Sequence, residues 1–402
     1  MAADRAARGV TPFRTAAARV PRPRPAGWGG GARSPLRVAV VATALLAWGG
    51  TGAAQADNDW AEVPTRVQGR VAIQNGKIFH QWPAIRAEAE FTGPKAALAL
   101  SDSPARYRVT LDPGAPDTSV VVLDRPPAGT LDLAPRGPGP HRLTIETLGE
   151  TPDAPGVLPR LLVPAAEAAR PAPASPRRRI EVIGDSDSTG HGILHDGRDC
   201  DEATTRASSD STAAWPAQVA RALGADLRLH AATGLGLIRN YGGAAPDRTL
   251  PALYPRTLWA GEGPRVDTPP TGADPWQPQL IVVAIGSNDF ASPLQPGEPW
   301  DSPRAVGRDF APALAEFLAE VRAGAPDAAI LLAVWPEYGR PYLRAHRAAL
   351  DLRAKAGDHA VALLALPRMG KTACGWHPSV ADHAAIAQRV LDHLAAQPAV
   401  FR

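Results

Sequence analysis

Five apolar, strand-like runs occupy this 402-residue chain from residue 179 onward: RIEVIG (179–184), ADLRLHAAT (225–233), LIVVAIG (280–286), AAILLAVW (328–335) and AVALLALP (360–367). Continuous apolar strands need cover on both faces, which a parallel sheet flanked by helices provides. The intervening sequence supplies the helices. In residues 305–324, Val306, Phe310, Leu314, Phe317, Leu318 and Val321 recur at spacings of three and four, one apolar stripe of an amphipathic helix. Residues 215–224 and 379–397 read in the same way. The fold class expected here is α/β.

In open sheets of this class, ligands bind beyond the carboxyl ends of the strands. After the first run comes GDSDSTGHG, after the second TGLGLIRN, after the third GSNDF, and after the last GKTACGWHPS. A serine, a glycine-rich turn, an asparagine and a histidine therefore fall on one rim. Acyl transfer needs these parts: a hydroxyl nucleophile, a base within hydrogen-bond reach, and donors aimed at the developing oxyanion. Ser186 is the expected nucleophile, with Ser188 as substitute. His377 is the expected base, favoured over His191 and His195 by its place after the last strand and by Pro378, which opens the final helix. The oxyanion donors expected are the Ser186 amide, the Gly236 amide (Gly234 as substitute) and the Asn288 side chain. Asp185 is read as ordering the nucleophile loop. The α/β-hydrolase elbow Gly-x-Ser-x-Gly does not fit, because Ser188 stands at its second glycine.

Before this region the grammar differs. From Val67 to about Pro164, short runs (GRVAI, IRAEAEF, AALALS, RYRVTLD, SVVVL, GTLDLA, HRLTIE) alternate with turn-formers at the spacing of an all-β sandwich. A jelly-roll-like domain is expected over 57–165, a Pro/Ala/Arg-rich linker over 166–178 and the α/β domain over 179–402. Residues 1–56 read as a prefix and secretory leader. Its apolar core Val38–Trp48 is too short to span a bilayer, and Ala54-Gln55-Ala56 offers a cleavage site after Ala56. The protein is therefore expected to be secreted or periplasmic, without a stable membrane anchor after cleavage; a monomer is expected.

The formal charge of +3 is carried by that leader. Residues 1–56 hold 8 Arg and 1 Asp, which leaves 35 basic and 39 acidic residues, a balance of −4. A nucleic-acid partner is thereby disfavoured. Cys200 and Cys374 are the only cysteines. In an exported protein such a pair is expected to be oxidised, the alternative being two buried thiols. The HGILH segment (191–195) has metal-like spacing, but it has no convincing third ligand, and ester hydrolysis needs no cofactor.

GDS, GLG, GSND and WHPS, in this order and with the RNYGG continuation at 239–243, resemble the blocks of the SGNH (GDSL-type) hydrolase superfamily. With the preceding β region, the layout resembles carbohydrate esterase family 2. The resemblance implies a flavodoxin-like hydrolase domain acting on O-acetyl groups of xylan- or glucomannan-type carbohydrate. It also implies an acid three residues before the histidine, where this chain has Cys374. A thiol does not orient an imidazole as a carboxylate does. The resemblance also implies the substitute, because some members of carbohydrate esterase family 2 lack this acid and use a backbone carbonyl: a Ser-His dyad is expected, with a carbonyl near 371–375 or a remote acid behind the ring. The cysteine is then free to bridge to Cys200 and pin the nucleophile-side loop to the histidine loop. Among the tryptophans, Trp376 beside His377 is the candidate for stacking on sugar, whereas Trp276, Trp300 and Trp335 read mainly as core or contact residues. The rival functions are a broad short-chain lipase or arylesterase, and a carbohydrate-binding protein without activity.

Overall fold

The computed structural model describes residues 60–165, 170–259 and 276–401. The apolar run Val38–Trp48 and the expected cleavage after Ala56 lie outside the described residues, as does the 166–169 part of the expected linker. Residues 170–177 carry no helix or strand.

Every apolar run read from residue 179 onward is a strand of one parallel sheet: Arg178–Asp185, Ala225–Ala232, Leu280–Ala284, Ala329–Val334 and Val361–Ala365. Numbered along the chain, the strands are ordered 2-1-3-4-5. Register brings their carboxyl ends to one edge, with Asp185 beside Ala232, Gly184 beside Ala284, and Val334 beside Ala365. The order reverses between the first and third strands. The crevice of such a sheet opens at that point, so the loops beginning at Ser186 and Ile285 flank it.

Helices cover both faces, as the apolar strands require. Pro303–Gly324 starts at Ser302, whose side chain caps Ala305 N, and it buries Val306, Phe310, Leu314, Phe317, Leu318 and Val321. Val380–Ala395 opens with a capping box between Ser379 and Asp382. Besides the short helix Glu202–Ser208, the long helix Gly339–Lys355 has no counterpart in the sequence reading. Its buried positions Tyr342, Ala345, His346 and Ala349 keep helical spacing. They include two alanines and a histidine, so periodicity in hydrophobicity has little to detect.

The seven runs read between Val67 and Pro164 all contain strands, and these pair antiparallel in separate sheets. The longest sheet sets Arg66–Gln68, Arg86–Phe91, His141–Thr147, Arg106–Leu111 and Ser119–Asp124 side by side. Alternation explains the strand Arg106–Leu111: Tyr107, Val109 and Leu111 face the core. Arg106 and Arg108, which alternate with them, project the other way and are not left to solvent. Arg106 donates to the carbonyls of Ala207 (3.0 Å) and Ser209 (3.1 Å). Arg108 reaches Asp210 Oδ2 at 2.5 Å and Thr212 Oγ1 at 2.6 Å. Trp82 makes the apolar junction; it is fully buried, stands edge-on to Trp259 at 4.5 Å between centroids, and donates to Arg256 O at 2.9 Å. Large aromatic surfaces of this kind dominate contact energetics. The described residues of the antiparallel and parallel regions belong to one compact unit, so the antiparallel region is a neighbour of the rim.

Candidate active site

The loop that carries Ser186 is shaped by buried carboxylates. Asp185 ends the first strand and caps the short helix Ser186–Thr189, accepting from Asp187 N at 3.0 Å and from Ser287 Oγ at 2.5 Å. This is the ordering role expected of it. Burial and the neighbouring Asp187 carboxylate push Asp185 up from the usual carboxylate range. Ser186 is 5% exposed at the start of this turn, whereas Ser188 is fully buried. A methyl group on Gly184 would lie 2.6 Å from Ser188 Oγ, so Ser188 points back under the strand rather than into the rim. Its hydroxyl is therefore not presented to the rim, unlike the position proposed for a nucleophile.

Several contacts seat the histidine loop against this turn. Lys371 Nζ bonds Asp187 Oδ2 at 3.0 Å and Oδ1 at 3.2 Å, and the Tyr338 hydroxyl bonds both partners. Burial, then the carboxylates of Asp187 and Asp185, hold the Tyr338 phenol well above its ordinary pKa, so it remains a donor. Cys374 is joined by a disulfide to Cys200. Gly192, at φ +61°, passes so close that a side chain there would strike Cys374 Cβ. Gly197 N donates to Thr372 O (3.0 Å), Gly375 N to Arg198 O (2.8 Å), and Arg198 to the carbonyls of Gly370 and Lys371. Sequence reading missed Asp187, Tyr338, Lys371 and Arg198. Each looks like an ordinary surface charge or aromatic until segments more than 150 residues apart meet.

His377 Nδ1 lies 2.8 Å from Cys374 O. A carbonyl only accepts, so Nδ1 carries the proton and Nε2 presents its lone pair. The expected carbonyl in 371–375 is thus that of Cys374. No hydrogen bond joins Ser186 Oγ to His377 Nε2; such contacts commonly close only when substrate is bound. Trp376 holds a left-handed φ of +62° and is 61% exposed, with the Arg198 guanidinium 3.6 Å over its ring. A positive φ on a bulky residue costs on the order of 1–3 kcal/mol and persists only where surrounding contacts enforce it.

The GLG loop departs from expectation at Gly236. Its N–H donates to Asn240 Oδ1 at 2.9 Å, and a side chain there would collide with Arg239 O. A donor already spent inside the loop does not serve an oxyanion, so Gly236 is a packing glycine. Gly234, at φ +79°, makes no N–H bond among the described residues, and the space beside its Cα is open. Asn288 Nδ2 donates to Leu235 O at 2.7 Å, which leaves its second hydrogen. Asp289, 1% exposed, accepts from the amides of Leu237 (2.9 Å), Ile238 (2.8 Å) and Arg239 (3.0 Å). Arg239 is itself 2% exposed and clamps Glu298, Ser292 and Pro293. The RN of RNYGG and the ND of GSND are therefore two halves of one scaffold.

Burial lifts Asp289 to about 6, with the three amides opposing the shift. The folded state therefore holds the proton more tightly than the unfolded chain. Stability contributed by the protonated form is present below the unfolded value near 4 and is lost as pH rises through about 6. Relative to Asp289→Asn, the wild-type protein should lose about 2–3 kcal/mol of unfolding free energy between pH 4 and pH 6. Denaturant titrations of both proteins across this window check it; parallel curves refute it.

A cleft of about 360 Å³ opens beside Gly234 and is lined by Glu150, Thr233, Tyr241, Arg248 and Trp259 among others. Trp335 is fully buried, Trp276 packs under Arg228 and donates to Asp226, and Trp300 donates to Asp309, so these three have structural partners. Of the HGILH histidines, His195 lies near Cys200 and Cys374, whose sulfurs are consumed by the disulfide and do not ligate a metal. Among the described residues no helix is long and apolar enough to cross a membrane.

Residues 182–393 match the GDSL-like lipase/acylhydrolase family. The chain belongs to this family. It is 28% identical to an acetylxylan esterase/glucomannan deacetylase of Cellvibrio japonicus, over 83% of this chain and 91% of that protein. A solved carbohydrate esterase, whose active site is described as having divergent catalytic and non-catalytic binding functions, superposes with a TM-score of 0.75. It is 25% identical and covers 85% of this chain and all of its own. A family two carbohydrate esterase from Cellvibrio japonicus shares the fold with a TM-score of 0.69 at 23% identity, over 85% of this chain and 97% of its own. The likeness thus extends over both the antiparallel and the parallel regions. In this family member the four rim loops read from the sequence form one scaffolded edge.

Proposed function

We propose that this GDSL-family protein is a serine esterase that removes O-acetyl groups from xylan- or glucomannan-type carbohydrate. The observation that carries the reading is the seating of His377: a ring with Nδ1–H fixed on Cys374 O, on a loop strapped to the one carrying Ser186. Ser186 Oγ attacks the acetyl carbonyl while His377 Nε2 takes its proton. The tetrahedral oxyanion is met by the amides of Ser186 and Gly234 and by the second Asn288 hydrogen. Collapse breaks the ester C–O bond, His377 returns the proton to the sugar oxygen, and an acetyl-enzyme remains. Water then repeats the sequence and releases acetate. The carbonyl behind His377 holds the tautomer but offers the imidazolium less charge than a carboxylate would.

The relative's activity on acetylated xylan and glucomannan supports the substrate class. Trp376 supplies an exposed aromatic face beside the base, suited to a sugar ring. A polymeric glycan is met outside the cytoplasm, in accord with the leader read at Val38–Trp48. Incubation with acetylated xylan, acetylated glucomannan and a series of aryl esters, with released acid followed by NMR, tests the proposal. Acetate release from glycans, with aryl acetate preferred over aryl butyrate by at least about tenfold, is expected. Preference for the longer acyl chains with inert glycans would replace it by a broad lipase or arylesterase.

A further inference from the structure

The loop that follows the Ser186 turn carries a second histidine to the same place. The ring of His191 lies against that of His377, centroids 4.5 Å apart and planes inclined at 54°. Its Nδ1 is 3.2 Å from Thr233 Oγ1. That hydroxyl in turn donates to Glu150 Oε1 at 2.5 Å, and Thr233 N donates to the same oxygen at 3.0 Å. Glu150 comes from the antiparallel region, just beyond the strand His141–Thr147.

Proton counting assigns the tautomer. Thr233 has one hydroxyl hydrogen, and a carboxylate oxygen only accepts, so the hydrogen is spent on Glu150. Thr233 Oγ1 then only accepts from His191, whose Nδ1 must carry a proton. Burial lowers the His191 pKa, His377 lowers it further, and Glu150 opposes both. The neutral Nδ1–H form results, the same tautomer as that of its neighbour.

Resting on the esterase reading above, we propose that His191 is a positioning residue for the reaction: its ring buttresses His377, and Thr233 and Glu150 hold that ring in place. The base is then fixed from two directions, by Cys374 O along its Nδ1–H bond and by His191 against its ring. The chain Glu150, Thr233, His191, His377 also assigns the antiparallel region a part in the chemistry. It supplies the anchor, and Thr233 is the residue before Gly234, so the same anchor steadies a proposed oxyanion donor.

Full-length protein variants test this with an aryl acetate. His191→Ala should lower kcat about 10- to 100-fold, the range expected when a reacting group loses its alignment, while KM changes less than about threefold. His191→Phe keeps a flat ring and should recover most of that loss. In the ¹⁵N-edited imidazole spectrum of wild-type protein, His191 should appear as the Nδ1–H form, and Thr233→Val should abolish that preference. If Ser186→Ala is inactive but His191→Ala keeps wild-type kcat, the inference falls and the esterase reading stands. An Nε2–H His191 in the wild-type spectrum also overturns it. Undiminished turnover in Ser186→Ala overturns both.

Discussion

Ser186→Ala will lower kcat for an aryl acetate by about 10⁴-fold or more while leaving the thermal transition within a degree or two of wild type. The first half follows from chemistry, because an alanine forms no acyl-enzyme, and removing the serine of a complete Ser-His-Asp triad costs on the order of 10⁶ in rate. The second half follows from structure: Ser186 Oγ joins none of the bonds that order the turn, which are made by Asp185, Ser287 and Asp187. His377→Ala should fall nearly as far, leaving whatever catalysis the oxyanion donors and substrate binding provide. Steady-state kinetics on purified variants, with calorimetry to establish that they are folded, decide the matter. Equal background rates in wild type and Ser186→Ala would turn the molecule into a glycan-binding protein without activity. Wild-type rates in His377→Ala would move the base to another histidine, for which His191 is the nearest candidate.

The largest stability effect is expected from the disulfide. Cys200 and Cys374 are separated by 174 positions, and closing so long a loop removes unfolded-state entropy worth about 5 kcal/mol in the chain-entropy model. For a folded unit of this size, that corresponds to a fall in Tm of roughly 5–10 °C in the double alanine variant. The bridge also has a local consequence, since the carbonyl that seats His377 belongs to Cys374 itself. The double variant should therefore lose kcat as well as stability at a temperature where it is fully folded. Lys371→Met should lose kcat by the same route, because it breaks the buried pair with Asp187 and leaves that carboxylate unpartnered by charge. Thermal unfolding with and without reductant and peptide mapping without reduction check the bridge. Two alkylatable thiols in the unreduced protein would refute it.

What could be read in advance, and what could not, divides along a physical line. Strands buried on both faces need unbroken apolar runs and amphipathic helices need periodic ones, so both announce themselves locally; the helix Gly339–Lys355 escaped because its inner face is built from alanine, histidine and tyrosine. The loops carrying Ser186, Gly234, Asn288 and His377 were legible because a parallel sheet gathers the ends of its strands on one edge. The choice between Gly236 and Gly234 was not legible. It depends on which amide Asn240 occupies, and a hydrogen-bond partner is a property of three-dimensional placement rather than of spacing.

By itself the sequence determined the α/β framework, the rim on which the chemistry collects, and the residue types able to perform acyl transfer, because burial and strand polarity act through patterns a few residues long. Only the tertiary structure decided what holds the histidine, which amide is free, and how Asp187, Lys371, Arg198 and the Glu150–Thr233–His191 chain brace the site. Those contacts join side chains from separate loops, and their energies depend on distance and burial, quantities that exist only once the chain has folded.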